Sequence, residues 1–298
     1  KQSNLQGYIC VALRNITKKL KKGIEPHAKA MFQLYYRIFQ NAGDQGAIHE
    51  DVLLAFGAAA AELQESFAPL APEFMDFVCH ALAMRSAPSV VVVAVGVIGD
   101  LCKALGKSFV QYSDTVVKIL ADDLRDADFP TKNKVYIISC FADIAQALGA
   151  AFGERYLGGV CQILDDYARN PPVDKDDDYA FDLLNEVWDA LLEAYVGIIQ
   201  GLADRPAGTP HPFTPYVEQL VLFIQHVWQE PSRKAIVTQG VVGVLGDVAA
   251  NLGKPVTEQY LANQVIEGIL IQGKNSPNEK IRMYAGWSMN VITKVMAS

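Results

Sequence analysis

The chain has 298 residues, 51% of them hydrophobic and 20% charged, and a formal net charge of -7. That balance excludes a general nucleic-acid or anionic-membrane binder, which needs a basic surface, and favours a basic partner. It leaves ample apolar material for a large core.

The chain opens on Lys1-Gln2-Ser3-Asn4 with no signal-peptide pattern, reads as a segment of something longer, and enters a leading helix at 3–22 at once. The sequon Asn15-Ile16-Thr17 carries meaning only in a secreted chain. Apolar residues at helical spacing then predict six helical pairs. The first helices fall at 25–40, 69–85, 109–126, 154–169, 212–229 and 256–272. Their partners fall at 48–66, 87–106, 131–149, 178–203, 233–252 and 277–296. Pro26, Pro72, Pro88, Pro130, Pro215 and Pro277 lie near the proposed starts, where a missing N–H is tolerated, and Gly106, Gly149 and Gly253 lie where helices end.

Three segments share one pattern. In Val97–Gly106, Cys140–Gly149 and Val244–Gly253 an aspartate (Asp100, Asp143, Asp247) precedes an apolar residue and Leu-Gly closes the helix. Asp100 and Asp143 stand one period of ~40–47 residues apart, the period of HEAT-type helical pairs. The interval to Asp247 fits two lengthened units. Val90-Val91-Val92-Val93 is β-branched, yet the helical period runs on through Leu105 and no other segment offers a strand to pair with it. The apolar run from Val90 to Gly99 is too short to span a bilayer. The whole is therefore expected to be all-α, a HEAT-repeat solenoid occupying 1–298, with its cut edge around Leu5, Ile9 and Leu13 exposing apolar surface.

Little in the sequence suggests catalysis or metal chemistry. Cys10, Cys79, Cys102, Cys140 and Cys161 stand singly among apolar residues, without a CxxC pair, and read as reduced core thiols of an intracellular protein. The five histidines, His27, His49, His80, His211 and His226, are scattered and read as surface or helix-end residues. Asp174-Lys175-Asp176-Asp177-Asp178 begins like a calcium loop, but Tyr179 stands where the turn needs glycine and Asn185 where a bidentate glutamate belongs. A capped inter-helix loop is the simpler reading. No cofactor is implied.

The informative constellation lies on the helix at 178–203. Asp182, Glu186, Asp189 and Glu193 fall within about 40° of Asp182 at 100° per residue, opposite Leu184, Val187, Leu191, Ala194, Ile198 and Leu202. No Lys or Arg follows at i+4 to neutralise the stripe. A solvated face explains it, and so does a binding face. In the repeat register Glu62, Asp100, Asp143 and Asp247 share one position, so acids on successive second helices line up along one surface, the inner one in such arrays. Matching Ile281, Ala285, Met289 and Ile292 to Val90, Ala94, Ile98 and Leu101 turns Trp287 away from the core of its own pair, either to cap the last repeat or to stack on a partner.

The stretches Gly96–Leu105 and Leu192–Leu202, together with the terminal helix bearing Trp287, resemble the importin-β (karyopherin-β) family of nuclear import receptors. The resemblance implies the C-terminal third of such a receptor, a right-handed α-α superhelix. It implies binding of the basic N-terminal helix of importin-α on an acidic concave surface, release by Ran-GTP with at most a partial site here, and weak contacts with phenylalanine-glycine nucleoporins. Location in cytoplasm, nucleus and nuclear pore complex follows from it, with no direct nucleic-acid contact and no membrane insertion. Carried residue by residue, the adaptor contacts would be Asp182, Glu186, Asp189, Glu193 and Trp287, with Glu62, Asp100, Asp143 and Asp247 extending them. A HEAT-repeat scaffold such as a phosphatase-type subunit is the alternative, separated by whether Arg/Lys-rich helices bind in a salt-sensitive way. An enzyme would need turnover or a bound cofactor to support it.

Overall fold

The computed structural model describes residues 2–43, 46–173, 179–206 and 208–298, and among these the regular structure is helical, with no strand. The chain divides into two compact units, Lys1–Leu148 and Gly149–Ser298.

The first unit opens with α1 (Gln2–Leu20) and continues in three pairs: α2 (Ala28–Asn41) with α3 (Gly46–Leu63), α4 (Ala71–Leu82) with α5 (Pro88–Leu105), and α6 (Val110–Arg125) with α7 (Thr131–Leu148). The helices α1, α3, α5 and α7 pack side by side, each against the next, and the first helices of the pairs lean on them. The valine run forms part of α5, with Val90, Val91, Ala94, Val95 and Ile98 buried. Packing on two sides overrides the strand preference of β-branched residues, which is itself a matter of fit to a half-buried surface.

The second unit contains α8 (Ala150–Arg155), α9 (Leu157–Arg169) and α10 (Ala180–Gly201), then α11 (Val217–Gln229) with α12 (Ala235–Leu252), then α13 (Lys254–Val256), α14 (Gln264–Lys274) and α15 (Glu279–Ala297). Here α10, α12 and α15 form the packed row of second helices. Each expected pair is present, with two first helices broken. The helix expected at 154–169 begins earlier and bends at Tyr156. The one expected at 256–272 is interrupted by a π-turn at Thr257–Leu261, after which Asn263 Oδ1 accepts the N–H groups of Val265 and Ile266 and starts α14 afresh. Pro26 stands inside a 3-10 turn, Lys21–His27, rather than at an α-helix start.

Several helices of these rows close on a left-handed residue, whereas α10 closes on Leu202 with φ of -93°. Gly106, Gly149 and Gly253 have φ of +50°, +54° and +80°, and Lys21 and Gln64 take the same place after α1 and α3 with φ of +51°. Polar staples fix neighbouring repeats. Arg85 Nε donates to the buried Asp123 at 2.7 Å, and Asn185 Oδ1 accepts the Lys234 N–H at 2.6 Å while its amide donates to Phe181 O at 2.7 Å.

His49 and His211 are buried, contrary to the surface expectation. His211 bonds Ile199 O through Nε2 and accepts the Phe213 N–H at Nδ1, and burial lowers its pKa to about 4, so it is held neutral. The five cysteines form no disulfide, and all but Cys79 are buried. Pro88–Arg125 and Ala235–Leu252 are apolar enough by length and composition to cross a membrane, but 61% and 56% of the most apolar 18 residues of each is buried, as in core helices. The apolar edge expected on α1 is there. Leu5 and Ile9 are exposed, joined by Tyr8, Ile16 and Leu20, while Leu13 is half-buried.

Candidate functional site

Helix α10 is two-faced as its sequence requires. Val187, Trp188, Leu191, Ala194, Tyr195 and Ile198 are buried, while Asp182, Glu186 and Glu193 are exposed and Asp189 is half-buried between them. Burial, with the neighbouring Glu193 charge second, raises the Asp189 carboxyl to about 6. Glu186 has no hydrogen-bond or ion-pair partner among the described residues. The stripe is less bare than its own helix suggests. Lys234, at the threshold of α12, reaches Asp182 with Nζ at 2.8 Å. The neutralising cation comes from the next pair in space, where no i+4 rule looks for it.

Trp287 on α15 turns toward α12. Its indole lies against Gly246, where a Cβ would collide with the ring and stand 2.6 Å from Ser288 Oγ. Ser288 Oγ in turn donates to Val242 O at 2.6 Å. The ring therefore covers the preceding helix, as the capping reading requires, yet remains 40% exposed, as the stacking reading requires.

The repeat aspartates behave differently from the α10 stripe. Asp100, Asp143 and Asp247 occupy one place in α5, α7 and α12, each half-buried in the seam with a neighbouring second helix. Asp100 Oδ2 lies 2.8 Å from where a Cβ on Gly57 would stand, and Asp143 Oδ2 lies 2.6 Å from that of Gly99. Burial raises the Asp100 and Asp247 carboxyls above their usual range, opposed at Asp100 by Lys103, Arg14 and Lys18 and at Asp247 by Gln200, whose Nε2 donates to it at 2.9 Å. Asp143 pairs with Lys103 at 3.5 Å. These carboxylates have local partners in the seam.

Glu62 does not share their position. Ala58, directly after Gly57, stands where Asp100 stands after Gly99, and Glu62 lies a turn further along α3. Sequence reasoning also missed Asp51, whose Oδ2 lies 2.6 Å from a Cβ on Gly7 in the same kind of seam. The signal available was a glycine one repeat before Asp51, Asp100 and Asp143; Asp247 faces Gln200 instead.

Between first helices the structure forms clefts. One of about 720 Å³ between α2 and α4 is lined by Tyr36, Phe39, Phe77, His80 and Met84. Another of about 400 Å³ between α9 and α11 is lined by Arg169, Leu222, Phe223 and His226. No group of three or more His, Cys, Asp or Glu residues is arranged to hold a metal ion among the described residues, and the sequence Asp174–Asp178 lies outside them.

Comparison with known proteins matches residues 1–274 to the family model described as importin subunit beta-1-like, TPR repeats. Importin subunit beta-1 of Schizosaccharomyces pombe is 29% identical over 97% of the chain and 33% of its own length. The chain thus spans about a third of the curated relatives it matches. Two solved structures at 27% identity cover 99% of the chain and 34% of theirs. One, of Kap95p with RanGDP, described as inducing the GTP-bound conformation of the switch loops, superposes with a TM-score of 0.83. The other, a Kap95:Nup1 complex, superposes with 0.82.

Proposed function

The chain belongs to the importin subunit beta-1-like family, and from that premise we propose that it contributes C-terminal repeats of a nuclear import receptor, binding the basic helix of importin-α on the carboxylate face of α10 with Trp287 as an apolar anchor. The fold is that of importin-β HEAT-repeat solenoids. The observation that carries the adaptor reading is α10 itself: four carboxylates on one accessible face, one of them desolvated enough to titrate near 6. A desolvated carboxylate beside a like charge gains most from an incoming cation. Asp247, tied to Gln200, adds to the field; Asp143 contributes to a basic ligand only by exchanging Lys103, and Asp100 only against the nearby Lys103, Arg14 and Lys18, while Glu62 is open to a cation. In this reading the protein works by binding, in cytoplasm, nucleus and nuclear pore.

Kap95p bound to RanGDP and to Nup1 supports Ran and nucleoporins as further partners, with only part of the Ran surface on this chain. The cleft between α2 and α4 suits the nucleoporin role, since the rings of Tyr36, Phe39 and Phe77 line it; the one between α9 and α11 offers Leu222 and Phe223 among charged and polar neighbours.

The test is a titration of the protein against an importin-α-type basic helix at two ionic strengths. Neutralising Asp182, Glu186, Asp189 and Glu193 together weakens binding and flattens its salt dependence. Trp287→Ala weakens it by ~2 kcal/mol with the salt dependence kept, as loss of a desolvated anchor does. A quadruple variant that binds like the parent at low salt makes the stripe a solvated face, and a scaffold in the manner of phosphatase-type subunits becomes the better reading.

A further inference from the structure

The first unit carries a surface that the α10 reading does not use. A groove of about 590 Å³ crosses its second helices, from Arg14 and Lys18 on α1, over α3 and α5, to Asp143 on α7. Its floor is made of small groups: Ala58 and Ala61 on α3, and Gly96 on α5, where an added Cβ would meet nothing within 4 Å. The α5 backbone is therefore bare to the groove, between the side chains of Val92 and Val93. Tyr136, 55% exposed, stands at the α7 rim.

Cations stand at one end of this groove and carboxylates along the rest, with Arg14 within electrostatic reach of Asp51 and, like Lys18, of Asp100. At the α1 end Arg14 Nε is buried without a hydrogen-bond partner, and Lys18 beside it is exposed. From the middle to the far end stand Glu62, Asp100 and Asp143. Glu62 has no partner among the described residues, and the pair that Asp143 makes with the exposed Lys103 is of the weak surface kind, readily exchanged for a ligand cation. A run of Lys and Arg, suited to α10, would meet Arg14 and Lys18 here and be repelled.

We propose that this groove is a second docking site, for a peptide segment in which an acidic residue, a bulky aliphatic residue and a basic residue follow one another across the helices. The acid faces Arg14 and Lys18, the aliphatic side chain sits over Gly96 between Ala58 and Ala61, and the base faces Asp100 and Asp143. Neighbouring helices lie ~8–10 Å apart, so the span suits an extended segment with the base about six positions after the acid at ~3.3 Å each.

A labelled peptide containing Glu-x-x-Leu-x-x-Lys, titrated by fluorescence anisotropy, tests this. It should bind at least about tenfold more tightly than the matched peptides with Lys at both ends, Glu at both ends, or Ala for Leu. Gly96→Ala adds a methyl group that meets nothing within 4 Å and should keep thermal stability, and Gly96→Leu, which extends further over the floor, should lower binding at least about tenfold in protein shown to remain folded. The double variant Arg14→Glu, Lys18→Glu shifts preference to the Lys-ended peptide. The variant neutralised on α10 binds the probe as the parent does, and Gly96→Leu leaves the basic-helix affinity of α10 unchanged, so failure of either site is read separately. Equal binding of all four peptides, an unaffected Gly96→Leu, or loss of the probe in the α10 variant overturns the proposal.

Discussion

The carboxylates of α10, four along one helix face, and those of α5 and α7, one on each helix, are the same chemical groups, and they do different work because of what lies behind them. On α10 the face opposite the acids is packed and the acids look outward, with Lys234 answering only Asp182. On α5 and α7 the acids lean over Gly57 and Gly99 of the preceding second helix, where Lys103 pairs with Asp143 and the charges of Lys103, Arg14 and Lys18 lie near Asp100. A glycine one repeat upstream gives Asp100 and Asp143 a notch to lie in, while Asp247 is held in its seam by Gln200.

The largest expected effect breaks this comparison directly. Neutralising the four α10 acids should lower affinity for a basic helix by up to about 100-fold at low salt, since exposed pairs contribute ~0.2–1 kcal/mol each and act together. Neutralising Asp100 and Asp143 should change that affinity by less than about twofold while shifting the thermal midpoint. Equal losses from the two sets would mean that the seam carboxylates are as available as those of α10.

Next in size is a change at a notch. Gly246→Ala places a methyl group in the Trp287 ring and against the bonded Ser288 hydroxyl, and should destabilise by about 1–3 kcal/mol, the usual cost of overpacking. Gly99→Ala meets only the movable end of Asp143 and should cost less than about 1 kcal/mol. Chemical denaturation of both variants ranks the two notches.

The general architecture was legible because it repeats. The helical period carried through Val90–Val93, and the Leu-Gly closures at Gly106, Gly149 and Gly253 gave the ends of three second helices. What was hidden lies between repeats. Lys234 meets Asp182, and Gly57 meets Asp100, across distances in sequence that helical spacing does not connect. Glu62 was placed in register by residue type, although position in the helix gives that place to Ala58. The break before α14 rests on one capping side chain, Asn263, inside an otherwise helical pattern. Of the candidate site, α10 was legible as one amphipathic helix, and Trp287 was legible in its direction but not in the glycine it rests upon.

Acidity separates the two sets more finely. With its carboxyl raised from 3.8 to about 6, Asp189 is charged at pH 7 and takes up a proton as pH falls through 6, whereas the unfolded chain holds its carboxylate down to about pH 4. This group therefore disfavours the folded state at pH 7, and the penalty fades as pH falls from 6 toward 4. A bound cation favours the charged form, so binding releases a proton, and affinity for a basic helix should fall several-fold between pH 7 and pH 5. Asp189→Asn should raise the thermal midpoint at pH 7 and flatten this step. A pH profile unchanged by the substitution would place the titrating group elsewhere.

The smallest effect lies at the helix ends and concerns why two repeats lack the closing glycine. Lys21 and Gln64 hold φ of +51°, where a Cβ crowds the following carbonyl and a side-chain-bearing residue is strained by roughly 1–2 kcal/mol, while Gly106, Gly149 and Gly253 take this place without strain. Glycine there also loses more backbone freedom on folding, which offsets part of the relief, so Lys21→Gly and Gln64→Gly should each stabilise by about 0.5–1 kcal/mol. Lys21→Gly also removes one positive charge from the lysines clustered around the end of α1, so Gln64→Gly is the cleaner measurement. If Gln64→Gly leaves the denaturation midpoint unmoved, the flexibility it adds to the unfolded chain cancels the strain it removes, and the closing glycines of the other repeats owe their presence to something other than backbone strain.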